Sequence, residues 1–371
     1  MTNTTAFTTL EPVRYEASFE TLADDEAEVT QGLIDALHKI AEKVDKDEGH
    51  AFRGVHAKSH GLLFAELVVE DVLPLAQAQG VFAKPGRYPA VIRLSTPPGD
   101  LLDDKVSTPR GFAIKIIGVE GRRLPGSEGD VTQDFVMING PTFSAPTPGK
   151  FLKNLKLLAT TTDVAPGLKK ALSATLRGVE SLVEKTGHKS STLISMGGHP
   201  ETNILGETFY SAAALRHGDY MAKLSVAPVS PELVALTNQP VDLDDKPDGI
   251  REAVIAHFAR HGGTWELRAQ LCTDIDAMPI EDATVQWDEA KSPYVTVARI
   301  VAPPQPAWSA ARSRAVDDGM AFSPWHGLSA HQPIGSIMRV RKAVYEASIK
   351  FRSAHNGVTI EEPKALTGLP D

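Results

Sequence analysis

The sequence predicts an α+β fold, in which an antiparallel sheet able to close into a barrel carries its helices outside. Strand-like patterns gather in two sets, one ending at Asn139 and one starting at Tyr220, instead of alternating singly with helices. The stretch between the sets has helical spacing, and one long helical pattern lies near the end of the chain. Composition shows no sharp boundary, so all 371 residues read as one domain.

Residues 1–25 have no strong period and read as a loose arm. Val29, Leu33, Leu37, Ile40 and Val44 then recur at three- and four-residue steps, which gives a helix over 26–48, closed by acidic residues and Gly49. Val55–Val72, Tyr88–Thr96, Gly111–Val119 and Asp134–Asn139 are strand-like, bounded by Pro, Gly or Asp clusters, with Gly99–Ser107 and Gly121–Gly129 as connecting loops. Phe151–Thr160 and Leu168–Lys185 carry Leu, Ala and Lys at helical spacing, broken by Pro166-Gly167. The second set comprises Tyr220–Val226, Thr264–Leu271 leading into Cys272, and Tyr294–Val301. A helix at Pro247–Arg260 falls between them, closed by Gly262-Gly263. Ala302–Pro306 is a rigid connector, and the last helix covers 333–356.

Composition narrows the function. Hydrophobic content of 42% and charged content of 23% suit a globular chain with a sizeable core. A formal net charge of -9, with no Lys/Arg cluster, argues against nucleic acid and anionic membrane surfaces as partners. No apolar run approaches the length of a membrane span, and the first residues lack the basic and apolar regions of a secretory signal. The single cysteine, Cys272, leaves no intrachain disulfide, multi-cysteine zinc site or iron–sulfur cluster, and reads as a strand residue. A cytoplasmic address follows by default, and the chain is compatible with a homo-oligomer.

Among polar residues, Arg341 stands four positions before Tyr345 in the last helix, so guanidinium and phenol share a face one turn apart. A phenol ordinarily keeps its proton to a pH of about 10 and then binds metals poorly. A fixed cation beside it favours the phenolate, a hard donor suited to ferric iron. Alone, the pair reads as a surface tyrosine beside a surface arginine. His56 and His60 lie four apart, as do His257 and His261, yet Ala57 and Phe258 stand where the helical zinc motif has Glu, and His56 falls in a strand-like stretch. His257 and His261 read as helix surface, and Lys169-Lys170 and Arg122-Arg123 as solvated charges.

Six stretches in order carry a resemblance. Arg53-Gly54-Val55-His56-Ala57-Lys58 resembles the distal-histidine motif of the haem-dependent catalase superfamily, especially its short members related to catalase. Val91-Ile92-Arg93-Leu94-Ser95-Thr96 and Pro109-Arg110-Gly111-Phe112-Ala113-Ile114-Lys115 are similar to two of its strands. Asp134 to Phe143 resembles the segment holding the distal asparagine and a channel phenylalanine, and Pro148 and Phe151 keep the spacing after it. Ala321-Phe322-Ser323-Pro324 is similar to the stretch ahead of the proximal helix, where Arg341, Tyr345 and Arg352 match the proximal pattern. The likeness covers most of the chain, from about Arg53 to Arg352.

The resemblance implies a catalase-like antiparallel β-barrel with peripheral helices, binding one haem b (iron protoporphyrin IX) with Tyr345 as metal ligand and Arg341 holding it ionised. His56 would be the catalytic acid–base and Asn139 would orient the peroxide, although counting from Pro141 puts Asn139 one position beyond the family's distal asparagine and Ile138 at it. Arg53, Arg93 and Arg352 would meet the haem propionates, and Val55, Phe143 and Phe151 would pack on the porphyrin or line its approach. The implied activity is peroxide decomposition by a catalase-related peroxidase, with hydrogen peroxide or an organic hydroperoxide as substrate and a small organic electron donor as partner. After Tyr345 the family's Pro-Asp-Thr-His-Arg-His gives way to Glu346–Phe351, and the wrapping segment and helical domain that follow in full-length catalases have no counterpart after Arg352, which favours peroxidase turnover. A fatty-acid hydroperoxide isomerase or dehydratase of the allene-oxide-forming type is the alternative, although those relatives place Thr before the distal histidine where this chain has Val55. A non-enzymatic haem or lipid carrier on the same fold is the third reading.

Overall fold

The strands of both sets join in one sheet. The structure, a computed structural model, describes residues 11–161 and 199–371. Its strands are β1 (Ser59–Val69), β2 (Arg87–Ser95), β3 (Gly111–Ile117), β4 (Thr132–Ile138), β5 (Phe209–Tyr210), β6 (Leu215–His217), β7 (Tyr220–Pro228), β8 (Gly263–Leu271) and β9 (Val295–Ala302). All pairings are antiparallel. The order β1-β2-β3-β4-β5-β7-β8-β9 returns to β1, an eight-stranded closed barrel, and β6 hangs on β7 as a hairpin. Closure falls on β5, where Tyr210 faces both Ile138 of β4 and Ser225 of β7.

Alternation decides what enters the barrel. Ala90, Ile92 and Leu94 of β2 face the interior with Phe112, Ile114 and Ile116 of β3, while Val91 faces out. The outer face of β1–β3 is apolar too, at Leu62, Val91, Ala113 and Ile117. It is covered by Val316, Met320 and Phe322, with Leu366 and Leu369 of the C-terminal tail packed against them, which is why β3 is buried along its whole length. Burying these side chains contributes roughly 1.5–3 kcal/mol apiece, which is the main force holding the layers together.

The longer helices are α1 (Glu26–Glu48), α2 (Pro148–Thr161), α3 (Gly249–Phe258) and α4 (Ser336–Asn356). Leu33, Leu155 and Val340 form the apolar seam joining α1, α2 and α4. The last helix starts at Ser336, three residues later than expected, because Gly335 takes φ +87°, and a Cβ there would stand 2.2 Å from the carbonyl oxygen of Ile280. Carboxylates cap that end: Gly335 N–H donates to Glu20 (3.0 Å) and Ser336 N–H to Glu281 (2.9 Å), beside the positive pole of the helix.

Several expectations change. From residue 11 the arm is docked, with Val13 N–H donating to Cys272 O (2.8 Å) and Tyr15 N–H to Asp219 O (2.8 Å). The strand expected over Val55–Val72 shrinks to β1, because His56 N–H and Ala57 N–H turn aside to Pro97 O (2.7 Å) and Pro98 O (3.1 Å), and His56 takes φ +56°. β5 and β6 escaped notice because two or three residues cannot show a period. The expected helix Leu168–Lys185 lies outside the described residues. Among the described residues no helix is long and apolar enough to cross a membrane.

Candidate active site

A cleft on the outer face of β2–β4 is closed from the other side by α4 and α1. It holds about 940 Å³ of space free of atoms, its open mouth and the solvent there included. His56 and Tyr345, from opposite ends of the chain, both line it, as do Arg53, Arg93 and Arg352.

His56 reaches the wall because its backbone breaks from the extended path. Its N–H is tied to Pro97, and ring Nδ1 pairs with Ser95 Oγ at 3.0 Å. Gly111 supplies the space: a Cβ there would lie 2.6 Å from the imidazole. Burial first, then the charges of Arg93, Arg341 and Arg53, push the His56 pKa down to about 3, so the ring is neutral around pH 7. On α4, Arg341 Nη2–H donates to Tyr345 Oη (2.7 Å) and Arg341 Nη1–H to Met338 Sδ (3.2 Å). The four-residue spacing read from sequence is therefore a direct contact.

The three cleft arginines converge on Asp317, in a π-helical turn at Arg314–Asp318. Arg93 Nε–H donates to Asp317 Oδ1 (2.7 Å), Arg53 Nη1–H reaches the same oxygen (3.4 Å), and Arg53 and Arg352 donate to the Asp317 carbonyl (2.9 and 2.7 Å). Ser59 and Ser313 hydroxyls donate to Asp317 Oδ2, each at 2.8 Å. Burial would raise the Asp317 pKa, but Arg93 and Arg53 outweigh it and hold the carboxyl below its usual range. Asp318, next along, pairs with His50 (2.9 Å).

Positive charge is in excess. Burial, and then mutual repulsion with Arg352 and Arg93, drives the Arg53 pKa well below its usual value. Burial followed by Arg93 lowers Arg352 to about 10. Among the described residues, Arg352 Nε–H is buried without a partner. A buried donor left unmade costs about 1–3 kcal/mol, and a carboxylate-bearing ligand would answer both that donor and the surplus charge. The donor set fits a haem: arginines that could take its carboxylates, a phenol and an imidazole facing one cleft, and apolar walls at Val55, Ala113, Val136 and Phe322.

Not every expected residue lies there. Asn139 stands outside the wall: its Oδ1 accepts from Arg110 N–H (2.8 Å), its own N–H donates to Arg110 O (3.1 Å), and its amide nitrogen donates to His199 Nε2 (2.6 Å) and Glu207 Oε2. Those bonds pin the end of the β3–β4 pair, so its amide does not reach the cleft. Phe143 and Phe151, 5.0 Å apart, pack behind α4 and not on the cleft wall. Leu37 and His38 of α1, Ser95, Gly111 and Phe322 do line it. Ser95, Gly111 and Phe322 sat inside the quoted stretches, whereas nothing local marked Leu37, His38 or Asp317 as site residues. Among the described residues, no three His, Cys, Asp or Glu side chains gather as a metal site.

No family model matches the sequence, and none of the curated proteins matches it. Solved structures do. A fungal catalase is 19% identical with a TM-score of 0.57, over 84% of this chain and 61% of that one. Catalase A from Saccharomyces cerevisiae gives 20% and 0.57, over 92% and 67%. A bacterial catalase gives 16% and 0.58, over 92% and 63%. The chain has the catalase fold, in a short form spanning about three-fifths to two-thirds of those chains.

Proposed function

We propose that the chain binds haem b in the β2–β4 cleft and is an oxidoreductase acting on peroxides, with a small organic molecule as electron donor. One observation carries the reading: His56, Tyr345 and three arginines with surplus charge, Arg93 and Arg352 buried and Arg53 half-buried, face one cleft in a catalase fold. Tyr345 would hold the iron, with Arg341 donating to its oxygen; Arg53, Arg93 and Arg352 would hold the propionates. Bound haem supplies the redox-active iron for O–O cleavage. His56 moves the proton. In the tautomer whose Nδ1–H donates to Ser95 Oγ, Nε2 would carry the lone pair that accepts the proton from one peroxide oxygen and returns it to the other, where water or alcohol leaves.

The absorption spectrum of haem-loaded protein tests the assignment. A high-spin ferric phenolate spectrum is expected, lost in Tyr345→Phe; an unchanged spectrum in that variant would remove the proximal role. His56→Ala should keep haem yet lose about 10²–10⁴ of the peroxide turnover. The commitment of the Asn139 amide elsewhere favours a second reading, haem carriage without turnover, because one charge-orienting donor is missing from the cleft. Wild-type peroxide consumption no faster than that of free haem, and unchanged in His56→Ala, would speak for it.

A further inference from the structure

Beyond the cleft, we propose that Trp325 is the site where aromatic donors too large to enter give up electrons; this rests on the peroxide reading above. The indole is partly exposed and its Nε1–H donates to Met338 O (2.6 Å). Met338 Sδ accepts from Arg341, and Arg341 donates to Tyr345 Oη, so an unbroken set of contacts runs from the surface to the proposed iron ligand. Met338, Arg341 and Tyr345 occupy one face of α4 at spacings of three and four, with an easily oxidised sulfur in the middle. The other tryptophans lack this arrangement. Trp265 and Trp287 are 1% exposed, and a guanidinium, that of Arg251, lies 4.1 Å from the Trp308 ring centroid, where it opposes loss of an electron from that ring.

The chemistry balances with the proposed substrate as oxidant. One hydroperoxide takes up two electrons and two protons as its O–O bond breaks, giving one alcohol and one water. Two phenols or aromatic amines each lose one electron and one proton, leaving two donor radicals. Trp325 loses each electron toward the haem site and regains it from a donor resting on its exposed edge, while its N–H stays on Met338 O.

The test uses haem-loaded full-length protein with peroxide and two donors, the bulky dianionic dye ABTS and the small phenol guaiacol. Trp325→Phe should lower the ABTS rate about tenfold or more, with the peroxide consumed alongside it, while guaiacol oxidation and the peroxide consumed with guaiacol hold within about twofold. Trp325→Tyr, which restores an oxidisable ring, should recover part of the ABTS rate. Without donor, peroxide treatment should add oxygen to the Trp325 peptide, read by mass spectrometry, and a protein radical signal should vanish in Trp325→Phe. An ABTS rate unchanged in Trp325→Phe, or a Trp325 peptide left unmodified, overturns the electron-entry role alone. Wild-type protein that shows no haem spectrum and consumes no peroxide overturns the underlying function and this role together.

Discussion

Removing the charge of Asp317 is the sharpest perturbation of the site. Asp317→Asn keeps the shape but replaces one acceptor oxygen with a donor, facing Arg93 Nε–H at 2.7 Å and Arg53 Nη1–H at 3.4 Å. Arg93, Arg352 and Asp317 are nearly closed to water, so little solvent screens the three cations. Breaking a buried pair from one side costs about 3–5 kcal/mol, and the Ser59 and Ser313 hydroxyls can rotate to keep part of their bonds, so roughly 3–5 kcal/mol is expected at pH 7. Asp317 titrates below its unfolded value, so it contributes stability above that value, which is lost as pH falls through the folded one. The gap between wild type and variant should therefore hold through neutral pH and close in acid, below about pH 4. Urea unfolding of haem-free protein at several pH values measures this. Loading haem should narrow the gap, since propionates would take up the arginines. A difference under about 0.5 kcal/mol at pH 7, or one that persists unchanged in acid, would refute the claim that Asp317 holds the arginines.

Gly111→Ala puts a methyl group where the His56 ring stands, so peroxide turnover should drop by about 10²–10⁴ with the haem spectrum retained; wild-type turnover would show that the ring does not need this space. Burial, with the charge of His217 adding to it, pushes His331 down to about 3, and burial pushes His217 to about 4. Both protonate in the unfolded chain first, so stability should fall as pH drops below about 6.5, by about 1.4 kcal/mol per pH unit per histidine, and level off below the folded values. His331→Leu should flatten that slope in a thermal-melt series; an unchanged slope would count against it. Arg339 ties Glu20 (2.7 Å), Glu26 (2.8 Å) and Glu281 (2.8 Å) together, so Arg339→Leu should cost roughly 2–3 kcal/mol and expose the arm around Glu20 to protease, and an uncut arm would contradict the tie.

What the sequence made legible followed from period and spacing. Pro, Gly and Asp clusters marked the ends of the runs that became β2 and β3, and the four-residue step from Arg341 to Tyr345 survives folding as a hydrogen bond because helix geometry alone decides it. The reading weakened wherever a role depended on contacts between distant segments. Asn139 has the right residue type near the right place, yet one step of register past Ile138 puts its amide among Arg110, His199 and Glu207, since successive residues at a strand end point opposite ways. Phe143 and Phe151 were aromatic at the expected spacing, but spacing says nothing about which side of α4 they reach. Asp317 carried no signal at all, because its importance lies in three arginines drawn from near residues 53, 93 and 352. The residues that a haem would touch lay in recognisable stretches, whereas the residue that holds three like charges together was visible only once the chain had folded. A site of this kind therefore has two parts with different legibility: the ligand's chemistry restricts residue type locally, and the cost of burying like charges is met by whichever acid the fold brings near.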